Sequence, residues 1–148
     1  MVGVKHGSAC GVAIDSDPKV VAKKMIEGDP LSIFGGIVIS NFEIDEEIAE
    51  VLLSHKVENG RRILDNIYAP KFTKEAIAML ERKKDKCRFL ENMALKNLDR
   101  NSLDKQPMMT SIRGGMIIQD NFTYTLDFDH PELQVHGGKL TEKIKKEI

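Results

Sequence analysis

A lysine followed directly by a histidine, Lys5-His6, closes the apolar opening Val2-Gly3-Val4 and leads into Gly7-Ser8-Ala9-Cys10-Gly11. A cation beside an imidazole favours the neutral, proton-accepting form of the ring. Such a pair could take up a proton at one atom while it stabilises negative charge developing at another. Neighbouring side chains of a regular strand point to opposite faces, so Lys5 and His6 can serve one site only if the strand ends there. Gly7 and the small Ser8-Ala9 permit that bend. The plainer alternative is a strand-end lysine in solvent and a histidine bonded to a loop carbonyl.

Other residues invite the same double reading. Phe34-Gly35-Gly36 opens an apolar run, where bare backbone lets a ligand approach and free N–H groups can cradle an anion; a tight turn into a buried strand needs the same residues. Asp65 stands near the end of an expected strand, where ligands of open α/β sheets gather, although a turn-bonded carboxylate would look identical. Arg113-Gly114-Gly115 reads as a phosphate contact or as a β-bulge carrying a surface arginine. His55, His130 and His136 lack metal-ligand spacing, and Met108-Met109 reads as core.

The elements that must position these residues follow from pattern. Strands are expected over Val2–Lys5, Cys10–Ile14, Gly36–Ile39, Ile63–Tyr68, Cys87–Leu90 and Met116–Gln119. Gly36–Ile39, continuously apolar, reads as a strand buried on both faces. Asp17-Pro18 predicts a helix start, with Gly28 beyond the end and Val21, Ala22, Met25 and Ile26 inward. Asp45 caps a second helix with Ile48, Val51 and Leu52 on one stripe. Thr73 caps a third, with Ala76, Ile77 and Leu80 inward. The run Arg82-Lys83-Lys84 forms its basic last turn, complementing the negative helix end. Glu91 to Pro107 reads as irregular, and the lysine-rich Leu140–Ile148 as weakly helical. Alternation of this kind argues for an α/β sheet with helices on both faces.

The chain of 148 residues carries 22 basic and 23 acidic side chains, a net charge of −1, which leaves no electrostatic footprint for nucleic acid or an acidic membrane. Its apolar runs are too short to span a bilayer, and no charged-then-apolar leader opens it. Cys10 and Cys87 form no Cys-x-x-Cys, so neither a disulfide framework nor a zinc site is expected, and a reducing cytoplasm is the default compartment.

Four blocks taken in order carry a family resemblance. They are Lys5-His6-Gly7-Ser8-Ala9-Cys10-Gly11, Asp29-Pro30-Leu31-Ser32-Ile33-Phe34-Gly35-Gly36, Asp65 before Ala69-Pro70, and Gly114-Gly115-Met116-Ile117-Ile118-Gln119-Asp120. Over residues 2 to 120 the chain resembles the AICAR formyltransferase domain of the bifunctional purine-biosynthesis enzymes. That resemblance implies formyl transfer from 10-formyltetrahydrofolate to the amino group of AICAR in purine (IMP) biosynthesis. It makes His6 the proton acceptor and Lys5 the transition-state stabiliser, and places Phe34, Gly35 and Asp65 against AICAR, with Ser8 supporting the loop. The implied fold is three-layer α/β/α, cytidine-deaminase-like, with no zinc signature and no catalytic metal.

The departures are equally specific. Ala9 stands where the family has proline, and Ser54 to Ile63 is polar where the family is apolar. The upstream Arg-Tyr-Gly-x-Asn-Pro motif, the second transformylase subdomain and the cyclohydrolase domain are all missing from the sequence. The expectation is therefore a single partial domain over 1–148, with 121–148 irregular before a terminal helix. Activity would need a partner supplying the missing transformylase half, or a homo-oligomer. The alternatives are a non-catalytic nucleotide-binding remnant and a purely structural domain.

Overall fold

The computed structural model describes residues 1–147 and divides the chain into two compact units, Met1–Asp99 and a second from Arg100 onward. The first unit holds a five-stranded mixed sheet. Its strands are β1 (Val2–Lys5), β2 (Ser8–Val12), β3 (Ile37–Ile39), β4 (Asn66–Ala69) and β5 (Arg88–Glu91), in the order β2-β1-β3-β4-β5. β1 runs antiparallel to both neighbours, whereas β3, β4 and β5 are parallel.

Helices α1 (Pro18–Gly28), α2 (Glu46–Ser54) and α3 (Lys74–Leu80) start where their caps require. Asp17 accepts from the Lys19 N–H, Asp45 from that of Ile48, and Thr73 from that of Ala76, each satisfying an amide the helix leaves unpaired. Val21, Ala22, Met25 and Ile26 of α1 are buried, as are Ile48, Val51 and Leu52 of α2 and Ala76 and Leu80 of α3; Ile77 is half-buried. α1 lies directly on β2. A Cβ built at Gly11 would stand 2.0 Å from the Met25 carbonyl oxygen, so strand and helix backbones touch where any other residue would wedge them apart.

The three helices pack side by side, α1 on α2 and α2 on α3. Within this unit they occupy one face, which corrects the expectation of helices on both. Sheet register separates the two faces. Gly3, Gly11, Val38, Ile67 and Phe89 share the helix-covered face, and Val38 and Ile67 are fully buried. The row Val12, Val2, Ile39, Tyr68 and Leu90 lies on the other face and is half-buried or exposed, reaching 60% at Val12. β3 is thus buried on one face rather than two. A continuous apolar run does not by itself say how many faces are covered.

Several boundaries differ from those expected: Gly28 closes α1 rather than following it, and β5 runs from Arg88 to Glu91. β2 begins at Ser8, because the turn before it is only two residues long. β4 begins at Asn66, so Ile63–Asp65 lead into the strand rather than belong to it. α3 ends at Leu80 with Glu81 as its cap, so Arg82-Lys83-Lys84 lie beyond the helix and not in its last turn. Residues expected to be irregular include two 3-10 turns, Met93–Asn97 and Arg100–Ser102.

The second unit contains an antiparallel hairpin, β6 (Met108–Ile112) with β7 (Gly115–Gln119), and a short helix α4 (Glu142–Glu147). Arg113-Gly114 is the two-residue hairpin turn rather than a bulge. Met109 is 63% exposed, contrary to its reading as core. Alternating apolar residues require a strand, but not that its apolar face be covered.

Cys87, by contrast, is buried, and burial pushes its thiol up to about 11, with Arg82 opposing the rise and Asp65 adding to it. The thiolate is the reactive species. In the native protein Cys87 should therefore resist iodoacetamide at mildly alkaline pH and label fully once urea unfolds the chain. Native labelling at a free-thiol rate would show that the α3–β5 segment opens.

Candidate active site

The carboxyl end of β1 and the amino ends of β3, β4 and β5 lie at one edge of the first unit. β1 stops at Lys5 because His6 and Gly7, with φ of 53° and 80°, form a two-residue turn that returns at Ser8. Positive φ at both central positions marks the type I′ hairpin, whose twist matches that of its strands. The turn is therefore set by His6-Gly7, upstream of Ala9, where the family proline would stand. His6 and Ser8 are exposed, and neither side chain has a hydrogen-bond partner among the described residues.

The Lys5 Nζ donates to the Phe34 carbonyl at 2.6 Å, which seats the ammonium against the backbone entering Gly35. Gly35 has φ of 63°, and its N–H donates to the Ile63 carbonyl at 2.8 Å. A Cβ added at Gly35 would meet one heavy atom within 4 Å, the Asp65 Oδ2 at 3.6 Å, so this stretch of backbone is open on the side facing the carboxylate. The Asp65 N–H donates in turn to the Gly36 carbonyl at 3.0 Å. Lys5, Phe34, Gly35 and Asp65, drawn from three separate blocks of sequence, thus share one neighbourhood, with His6 one residue further along the turn. Asp65 stands at the amino ends of the parallel strands, not at the carboxyl ends where sheet ligands usually gather.

Three further sets of contacts support the site. The Arg82 Nη1 donates to Asp65 Oδ1 at 3.0 Å and to the Leu64 carbonyl at 3.2 Å. Arg62, 1% exposed, lies with its guanidinium 5.5 Å from the Phe34 ring centroid and donates to the carbonyls of Leu52 and His55, both at 2.8 Å. Asp29 accepts from the Ser32 hydroxyl and from the N–H groups of Ser32 and Leu31, folding the turn that presents Phe34. The two Ser32 bonds hold the Asp29 carboxyl below its ordinary range, with the Leu31 N–H and then the charge of Lys5 as smaller contributions. Asp29-x-x-Ser32 was a visible signal for that turn. Arg62 and Arg82 look like surface charges in sequence, because nothing local distinguishes a cation that will be buried or drawn into a site.

A cavity of about 360 Å³ adjoins Asp65, between β4 and the segment entering β5. Another, of about 330 Å³, opens at the far ends of β1 and β3 against Met1, Ile39 and Phe42; its lining is mainly apolar and includes none of the candidate residues. Among the described residues no three His, Cys, Asp or Glu side chains converge as a metal site, and no helix is long and apolar enough to cross a membrane.

Comparison with known proteins agrees with the blocks that built this site. The chain is 39% identical over 127 residues to the bifunctional purine biosynthesis protein PurH of Anoxybacillus flavithermus, covering 85% of this chain and 22% of that protein. Against the proteins of the same name from Bacillus cereus (strain ATCC 10987) and Bacillus thuringiensis (strain Al Hakam), identity is 36% and 37% over 127 residues. Each alignment covers 86% of this chain and 22% of the relative. The chain therefore spans about a fifth of the length of the curated relatives it matches. The model of the AICARFT/IMPCHase bienzyme matches residues 1–147. By that match and those identities, the chain belongs to the AICARFT/IMPCHase bienzyme family.

Proposed function

We propose that this chain supplies one half of a formyl-transfer site acting on AICAR and 10-formyltetrahydrofolate in cytoplasmic purine biosynthesis. The other half would come from a partner polypeptide or a second copy. The observation that carries the reading is the Lys5 ammonium held against the backbone at Phe34-Gly35, with Asp65 across an open glycine.

The AICAR amine is a weak nucleophile because its lone pair is delocalised towards the carboxamide. As it attacks the formyl carbon, a bond forms from nitrogen to carbon and the formyl oxygen gains the electron pair. His6 accepts the proton the amine sheds. Lys5 would balance the oxyanion, an effect strongest where water is excluded. When the carbonyl re-forms, the bond to the folate nitrogen breaks, and the proton held by His6 can pass to that nitrogen. Phe34, Gly35 and Asp65 would hold the nucleotide, and Ser8 would support the turn. The half-open sheet face is where a further helical layer of a three-layer, cytidine-deaminase-like fold would pack.

A binding-only role is the second reading. It is favoured by one observation: His6 has no hydrogen-bonding partner to orient it among the described residues, and a base needs defined geometry to work.

AICAR binding tests the common core of both readings. At 100 times its Kd, a ligand of the native state stabilises by about 2.7 kcal/mol, so AICAR should raise Tm by several degrees, and Asp65→Asn should reduce that rise. No shift at saturating AICAR would overturn both.

A further inference from the structure

Ligands of open α/β sheets gather outside the carboxyl ends of strands, where neighbouring connections leave in opposite directions. In the first unit that place is the end of β1 away from Lys5, about 10 Å along the strand. From β1 the chain passes to β2 on one side, and from β3 it passes to β4 on the other. The loops beyond β2, β3 and β5 leave the 330 Å³ cavity between them, within the range of small-ligand pockets, roughly 300–1,000 Å³. Ala13 and Asp15 follow β2, Asn41 and Phe42 follow β3, and Leu95 and Lys96 come from the 3-10 turn after β5. Most polar groups of the lining are already committed. Asp15 is paired with Lys24 at 2.8 Å, and the Ser40 hydroxyl donates to the Phe42 carbonyl at 2.9 Å. Lys96 is different: exposed at the cavity, it has no ion-pair partner among the described residues. The Asn41 side-chain amide likewise has no hydrogen-bond partner among them.

We propose that this cavity is a binding site for a small carboxylate with an aromatic body. The apolar lining gains by taking the body out of water, and the half-buried Phe42 offers it a ring to pack on. Lys96 supplies the counter-charge for the carboxylate, and the Asn41 amide can donate a second hydrogen bond to it. One uncommitted side-chain cation matches one negative charge. The site is independent of formyl transfer, because none of Lys5, His6, Phe34, Gly35 and Asp65 lines it.

Calorimetric titration of the full chain with sodium 2-naphthoate at neutral pH tests it, beside the neutral 2-naphthalenemethanol and sodium acetate. Saturable one-to-one binding is expected with naphthoate. The alcohol should bind about fivefold more weakly, the upper range for an exposed ion pair, and acetate, which lacks the body, should give no saturable signal. Lys96→Gln should weaken naphthoate by the same factor and leave the alcohol unchanged. Ile39→Trp, which enlarges a side chain of the lining, should abolish binding of both. If that variant fails to fold, Leu98→Trp at an exposed position of the same lining serves in its place. AICAR should not displace naphthoate; displacement would put the probe at the opposite end of β1 and overturn the site. Equal binding of naphthoate and the alcohol, with Lys96→Gln silent, would mark a seat for an apolar polypeptide segment and overturn the carboxylate. No saturable binding of naphthoate, or binding untouched by the tryptophan variant, also overturns the site.

Discussion

His6→Asn should lower formyl transfer by about 10²–10⁴-fold, the range general-base catalysis supplies, in a preparation complemented with the missing transformylase half. Stability should be unchanged or slightly raised. The choice of asparagine matters. His6 and Gly7 occupy the two positive-φ positions of the β1–β2 turn, and Asn-Gly is the sequence such turns prefer. Asn keeps the backbone and removes the proton acceptor, whereas alanine would add strain at a left-handed position. Folate absorbance follows turnover, and the melting curve confirms that the fold is intact. Full turnover by His6→Asn would remove His6 from the chemistry and leave the binding-only reading.

Arg62→Ala should destabilise the chain by about 3–5 kcal/mol, because it opens a cavity and orphans two carbonyls. Arg62 is an unusual core residue. Its guanidinium holds the Leu52 carbonyl at the end of α2 and the His55 carbonyl just past it, and its Nε has no hydrogen-bond partner among the described residues. Among the described residues no carboxylate neutralises it, and desolvation lowers its pKa. The cation is therefore retained against a desolvation penalty. The negative end of a helix is one of the few places where backbone alone compensates a buried positive charge. The urea midpoint should fall with the slope unchanged, as for a loss of stability without a change in the surface exposed. The variant should also bind AICAR more weakly under conditions where it is folded, since Phe34 loses the guanidinium beneath its ring. A loss below about 1 kcal/mol would mean that water replaces the guanidinium at both carbonyls.

Local signals carried the helices. Asp17-Pro18, Asp45 and Thr73 each bond an amide in the first helical turn, and the stripes they introduce are the stripes that are buried. Strand boundaries were less legible. Ile63-Leu64-Asp65 is as apolar at its start as a strand, but the Ile63 C=O and the Asp65 N–H serve the loop at Gly35-Gly36, a partner far away in sequence. Arg62 and Arg82 were the largest omissions from the site. Their composition says surface, but Arg62 is enclosed against the end of α2 and Arg82 is drawn onto Leu64 and Asp65.

Residue order alone determined the family, the helix starts and the identity of the groups able to do chemistry, because caps, periodicity and motif spacing act within a few residues of one another. Tertiary structure decided which of those groups meet. It set Lys5 on the Phe34 carbonyl, turned Asp65 to the amino ends of the strands, left one sheet face half-open and opened a cavity among the loops beyond β2, β3 and β5. Such outcomes depend on contacts between separate segments, such as Lys5 and Phe34, 29 residues apart. Pairing register and burial fix them, and neither is a property of any single stretch of chain.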